Sequence, residues 1–226
     1  DITVRCIIRD RPPITNLFDT ILFIGGAGAL AALVTEVVTR KRIALSVGPA
    51  MGGLLVWLAR SFETADGQDT MGQLQAVLDS NHYLAIYVLT INVGYAAGMF
   101  AMLLANVWLL ARALGLWRND PATMKSIVRM TYGTTCFGLL FAVFGTIYGG
   151  VWANDSWGRF WGWDPKENGA LLICLAQTAL LHARMAGWVK DLGFCLSADC
   201  IGIIVAFSWF GVNLMGVGLH SYGFAA

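Results

Sequence analysis

The sequence predicts an all-α, polytopic transmembrane bundle of about six spans, and three observations carry that prediction. Hydrophobic residues make up 57% of the 226-residue chain and charged residues 13%, with a mean hydropathy of +0.64, too apolar a balance for a water-soluble fold. The apolar residues fall into runs of about 20, the helix length that a hydrocarbon core about 30 Å thick requires. Basic residues cluster in alternate connections between the runs, as expected of helices that cross and recross a bilayer.

The chain opens DITVRCIIRDRPPITNLFDT, without a signal peptide's order of charges, apolar run and small-residue cleavage site, and its first residue is not methionine. Residues 1–15 are expected to be an extracytoplasmic lead-in from an earlier span of a longer polypeptide, with Arg11, Pro12 and Pro13 extended. Residues 16–226 are expected to form one transmembrane domain, with spans near 16–38, 43–58, 83–110, 131–151, 168–187 and 196–219. Gly94 and Gly98, in GYAAG, form a close-packing helix face in the third span. Glu36, Asn92 and Asn106 lie in spans, where they are expected to pair between helices. The polar stretch 60–81 reads as a loop, either a lid or a docking surface.

Orientation follows from the connections. Arg40, Lys41, Arg42, Arg112, Arg118, Lys125, Arg129, Arg184 and Lys190 all fall on one side, which the positive-inside rule assigns to the cytoplasm. The other side carries Arg60, Arg159 and Lys166, besides Arg5, Arg9 and Arg11 in the lead-in. The net charge of +1 and the lack of a basic stripe give no indication of nucleic-acid binding. Cys6, Cys136, Cys174, Cys195 and Cys200 make no CxxC pair, no zinc spacing and no CxxCH. No disulfide is expected, and any haem would be held noncovalently.

Between the fourth and fifth spans stands WANDSWGRFWGWDPKE, residues 152–167, with Trp152, Trp157, Trp161, Trp163 and Phe160. Gly158 and Gly162 loosen the backbone and Asp164-Pro165 interrupts it, so the stretch reads as a loop that Asp164 ends by capping the next helix. Aromatic belts place one or two rings at a helix end. Four tryptophans here form an apolar platform for a planar ligand, each ring able to bury about 150 Å² or more. The alternative is an interfacial anchor without a ligand. His82 and His220 begin the third span and close the sixth at the face that carries this loop, a bis-imidazole site in outline; either alone is also an ordinary interfacial side chain.

WGRFWGWDPKE resembles the tryptophan-rich signature of the haem-handling proteins of cytochrome c biogenesis, and is most similar to their CcsA/ResC type, including the C-terminal part of fused CcsBA-like synthetases. NHYLAIY and GVGLHSYG are similar to the segments that carry that family's two external haem ligands. The resemblance implies haem b held noncovalently between His82 and His220. It also implies presentation outside a bacterial cytoplasmic or thylakoid membrane, apocytochrome c as the partner whose CxxCH thiols receive the haem, and a CcsB/ResB-like partner or fused half. His182, in ALLHARMAGW, matches one of a pair of histidines implicated in an intramembrane haem site, the other being contributed by that partner; a hydrogen-bonded core histidine beside Arg184 is the alternative. Arg159, Lys166 and, third, Arg60 are candidates for the haem propionates. Asp155 and Glu167 are candidate hydrogen-bond partners. The protein's part in such chemistry is positioning. A haem relay without ligase activity, and a non-haem structural subunit, are the rival readings.

Overall fold

The computed structural model describes residues 2–10, 12–66, 82–216 and 218, and capping residues set the ends of its helices. A short helix α1 (Ile2–Arg9) precedes α2 (Leu17–Thr39). The Asn16 side chain accepts the Asp19 N–H at 2.9 Å, satisfying a donor that a helix start leaves open. Arg40 ends α2 in the left-handed region, and α3 (Ala44–Asp66) packs back against it. The long pair α4 (His82–Ala113) and α5 (Pro121–Trp157) follows. Then come α6 (Pro165–Met185) and α7 (Asp191–Ala206), which continues through a π-helical turn, Phe207–Gly211, into α8 (Val212–Leu214). Every element among the described residues is helical, as the composition predicts.

Four of these stretches are long and apolar enough to cross a membrane: Leu17–Thr39, His82–Ala113, Pro121–Trp157 and the continuous Asp191–Leu214. The chain is a multi-pass membrane protein. α3 and α6 stand where the other two spans are expected. They carry more charge near their ends: Arg60, Glu63 and Asp66 in α3; Lys166, Glu167 and Arg184 in α6.

α4 is the centre, packed on α5, α7, α2 and α3, and glycines bring the helices together. A Cβ at Gly145 of α5 would lie 2.8 Å from the Ile91 Cα, and one at Gly94 of α4 would lie 3.0 Å from the Ala142 nitrogen, so these two backbones touch with no side chain between them. One at Gly98 would meet Val205 of α7 at 2.9 Å. The GYAAG motif is therefore a packing face twice over, Gly94 serving α5 and Gly98 serving α7. Asn106 does pair between helices, donating to Asp199 Oδ1 of α7 at 2.7 Å. The lead-in is tied down by charge: buried Asp19 accepts Arg5 Nε at 2.8 Å and the Thr15 hydroxyl at 2.6 Å.

Several boundaries differ from expectation, each for a physical reason. Residues 152–157 are the last turns of α5 rather than loop, because Trp152 buries its ring against Tyr87 of α4 and the helix stops only at Gly158, whose left-handed backbone caps it. The connection after α4 is short: Asp120 caps α5 and Pro121 occupies its first turn, so Lys125 and Arg129 belong to a helix. Arg60 and Glu63 likewise pair at 2.8 Å inside α3, so the 60–81 stretch begins as helix; residues 67–81 lie outside the described residues. Within the lead-in, residues Ile2–Arg9 form a helix.

Candidate functional site

The tryptophan stretch divides into a buried and an exposed half. Trp152 is 1% exposed, stacked on Tyr87 at a centroid distance of 6.0 Å and edge-on to Trp157 at 4.7 Å. It is a floor of the bundle. Beyond Gly158 the backbone leaves the helix, and Phe160 folds back so that its ring covers Gly150, where any side chain would collide with it. Trp161 and Trp163 stand edge to face at 6.1 Å, and Trp163 is 69% exposed. Trp163 also has φ 59°, in the left-handed region that a bulky residue rarely occupies.

Glu167 holds this geometry. Its Oε2 accepts the N–H groups of Gly162, at 2.7 Å, and Asp164, at 3.1 Å, on either side of Trp163. Asp164 in turn accepts the Lys166 N–H at 3.0 Å and completes a capping box with Glu167, so Asp164 is the helix cap its position predicts. Asn168 donates to the Trp163 carbonyl at 3.0 Å. Arg159 lies 3.6 Å from Glu167 Oε1 and over the Trp157 ring at 5.8 Å; its guanidinium fills the space above Gly162 that a side chain would need. Its side chain remains 36% exposed.

Lys166 turns away from the rings. Its Nζ donates to the carbonyls of Ser208, at 3.1 Å, and Trp209, both in the π-turn. Burial pushes its ammonium down to about 7, with nearby Asp164 acting in the opposite direction. Asp155 is exposed on the last turns of α5.

His82 is the exposed first residue of α4. It lies five residues before Tyr87, and Trp157 lies five residues after Tyr87's partner Trp152 on the antiparallel helix, so both stand about 7.5 Å beyond that stack at one end of the bundle. Gly218, beyond α8, stands at the same end, against Asp164 and Pro165. His220 lies outside the described residues, two positions further on. His182 is exposed on the last turn of α6, with Nδ1 2.8 Å from the Thr178 carbonyl. Arg184 pairs with Asp191, at 2.6 Å, and the Val189 carbonyl, at 3.0 Å, and His182, being exposed, is not a core residue beside it. Three features escape the sequence: the Tyr87 stack, the π-turn, and the Trp209 indole N–H that donates to Thr20 Oγ1 of α2 at 3.1 Å. Tyr87 was within reach, five residues after His82 on a helix.

An exposed indole, Trp163, with half-buried Trp161 and exposed Phe160 at the end of a transmembrane helical bundle, beside a helix that opens on histidine, defines a membrane protein that offers an aromatic surface at one face. Residues 14–220 match the family described as "Cytochrome C assembly protein", and the chain belongs to that family. It is 31% identical over 239 residues to the cytochrome c biogenesis protein CcsA of Synechococcus sp. (strain CC9902), covering 93% of this chain and 78% of that protein. The protein of the same name from Chlamydomonas reinhardtii is 29% identical, covering 94% of this chain and 61% of its own length. The chain's function lies in cytochrome c assembly.

Proposed function

We propose that this chain receives haem b as its cargo and presents it at the extracytoplasmic face of the membrane for covalent attachment to apocytochrome c. The observation that carries the reading is Trp163, whose ring is held in the open by a left-handed backbone and by hydrogen bonds from its neighbours rather than by packing. A fold that needed only a membrane anchor has no use for that strain. The family, and relatives named for cytochrome c biogenesis, support the same reading.

In this reading Trp161 and Trp163 lie against the macrocycle, Trp157 and Phe160 border it, and Trp152 supports them from below. His82 and His220 supply the two imidazoles, and noncovalent haem supplies the vinyl groups that the apocytochrome thiols attack. Arg159, half-open beside Trp157, faces a propionate. Lys166, bonded to two carbonyls, does not. His182, exposed on α6 outside the bundle core, faces a CcsB/ResB-like partner chain that would complete a second haem site.

His82→Gly and His220→Gly should each lose bound haem or change its visible spectrum, with added imidazole restoring it by filling the vacated position. His182→Gly should leave the spectrum of the outer site in place. Normal haem content and spectrum in both outer variants would remove the ligand assignment.

A further inference from the structure

A π-helical turn leaves a helix carbonyl without its usual amide partner. In Phe207–Gly211 the Val212 N–H returns to the Phe207 carbonyl, and the carbonyls of the next two residues are met by side chains. Ser208 O accepts Lys166 Nζ at 3.1 Å; Trp209 O accepts Lys166 Nζ and also Asn213 Nδ2, the latter at 3.0 Å. The same turn reaches α2 through the Trp209 indole and Thr20. It is pressed against α6, where a Cβ at Gly169 would stand 2.7 Å from the Ser208 side chain. Directly beside Lys166, Asp164 and Pro165 touch Gly218.

We propose that Lys166 is a positioning residue: bonded to the π-turn, it clamps the loop bearing Trp161 and Trp163 against the π-turn and α8, with Gly218 packed beside it. Lys166 lies three residues after Trp163 and next to the Asp164–Glu167 capping box that shapes the loop. The π-turn lies immediately before α8. One ammonium thus links both halves of the surface. Without it, the Ser208 carbonyl loses its side-chain donor and the Trp209 carbonyl keeps only Asn213, so α6 and the π-turn can slide past each other on the smooth contact between Gly169 and Ser208.

The test uses the full chain in a background lacking its five cysteines, with nitroxide labels at Leu172 of α6 and Leu214 of α8, both exposed. The parent should give one narrow distance distribution, Lys166→Met a broadened one, and Lys166→Arg, which keeps a charged donor, a narrow one again. A narrow Lys166→Met distribution, or a broad Lys166→Arg one, overturns the clamp. If Lys166→Met does not fold, the Arg variant decides by the same criterion. A second arm, which rests on the function proposed above, titrates haem b. Lys166→Met should bind about 10-fold or more weakly, with a shifted reduction potential, and Lys166→Arg should recover both. If the parent itself binds no haem, the haem reading fails while the distances still decide the clamp.

Discussion

Trp163 and Trp152 are the same residue type eleven positions apart with opposite uses. Left-handed backbone costs a non-glycine residue about 1–2 kcal/mol, and a ring 69% exposed recovers little of that by burial. Trp163→Gly relieves the strain but gives up about 0.5–1 kcal/mol of chain entropy. It should therefore leave stability within about 1 kcal/mol of the parent while weakening haem binding. Thermal unfolding in detergent and a haem titration measure the two quantities. A loss of stability matching the loss of haem would make the ring a packing residue. Trp152→Ala, by contrast, should cost about 3–5 kcal/mol in unfolding whether or not haem is present, because it empties a fully buried site beside Tyr87. The sequence shows four indoles in a row without separating these roles. The difference lies in one backbone angle and in where α5 stops, and neither leaves a compositional trace. Asp164 was legible, because a carboxylate before Pro165 and three residues ahead of Glu167 caps a helix by local chemistry alone. Lys166 was not, because its acceptors are 42 and 43 residues away in a turn with no sequence signature.

Within α5, two glycines give opposite expectations. Gly145 meets the Ile91 backbone, so Gly145→Ala should destabilise the α4–α5 pair by about 1–3 kcal/mol through overpacking. Gly133 has nothing within 4 Å of its missing Cβ, and Gly133→Ala should add about 0.5–1 kcal/mol from helix propensity. A melting temperature raised by Gly145→Ala and lowered by Gly133→Ala would reverse the assignment of the packing face. The start of the same helix supplies a pH dependence. The Thr123 hydroxyl and N–H, at 2.5 and 3.1 Å, hold the Asp120 carboxyl below its ordinary value. The folded carboxyl is more acidic than the unfolded one, so the cap contributes fully above about pH 4 and is lost as pH falls further. Asp120→Asn should flatten that part of a melting-temperature profile between neutral and acid pH. Helix positions were legible because apolar runs about 20 residues long have few other uses. Their ends were not: caps such as Asp120 and Gly158 extend α5 beyond its apolar run on both sides.

For the molecule as a whole, His82, Trp161, Trp163 and Gly218 share one end of the bundle, and the positive-inside rule predicts that this end faces away from the cytoplasm. Single cysteines at Ser156 and Asn119, in the background without native cysteines, should react oppositely with an impermeant thiol reagent in intact cells. Ser156 should label and Asn119 should not. The inverse pattern would put the aromatic surface in the cytoplasm and end the case for outward presentation. The 37 residues of α5 measure about 55 Å at about 1.5 Å per residue, against a hydrocarbon core of about 30 Å. Even at a tilt of about 40° that rod spans about 42 Å, more than the thickest cellular hydrocarbon cores at about 33 Å and about the depth of a bilayer with its headgroups. The aromatic loop at its tip is thus held clear of the acyl chains, and differences of a few Å in their thickness leave it there. Reconstituted in vesicles of shorter or longer acyl chains, the protein should keep the same accessibility at Ser156, and a spanning scaffold cut to the bilayer's own thickness would not.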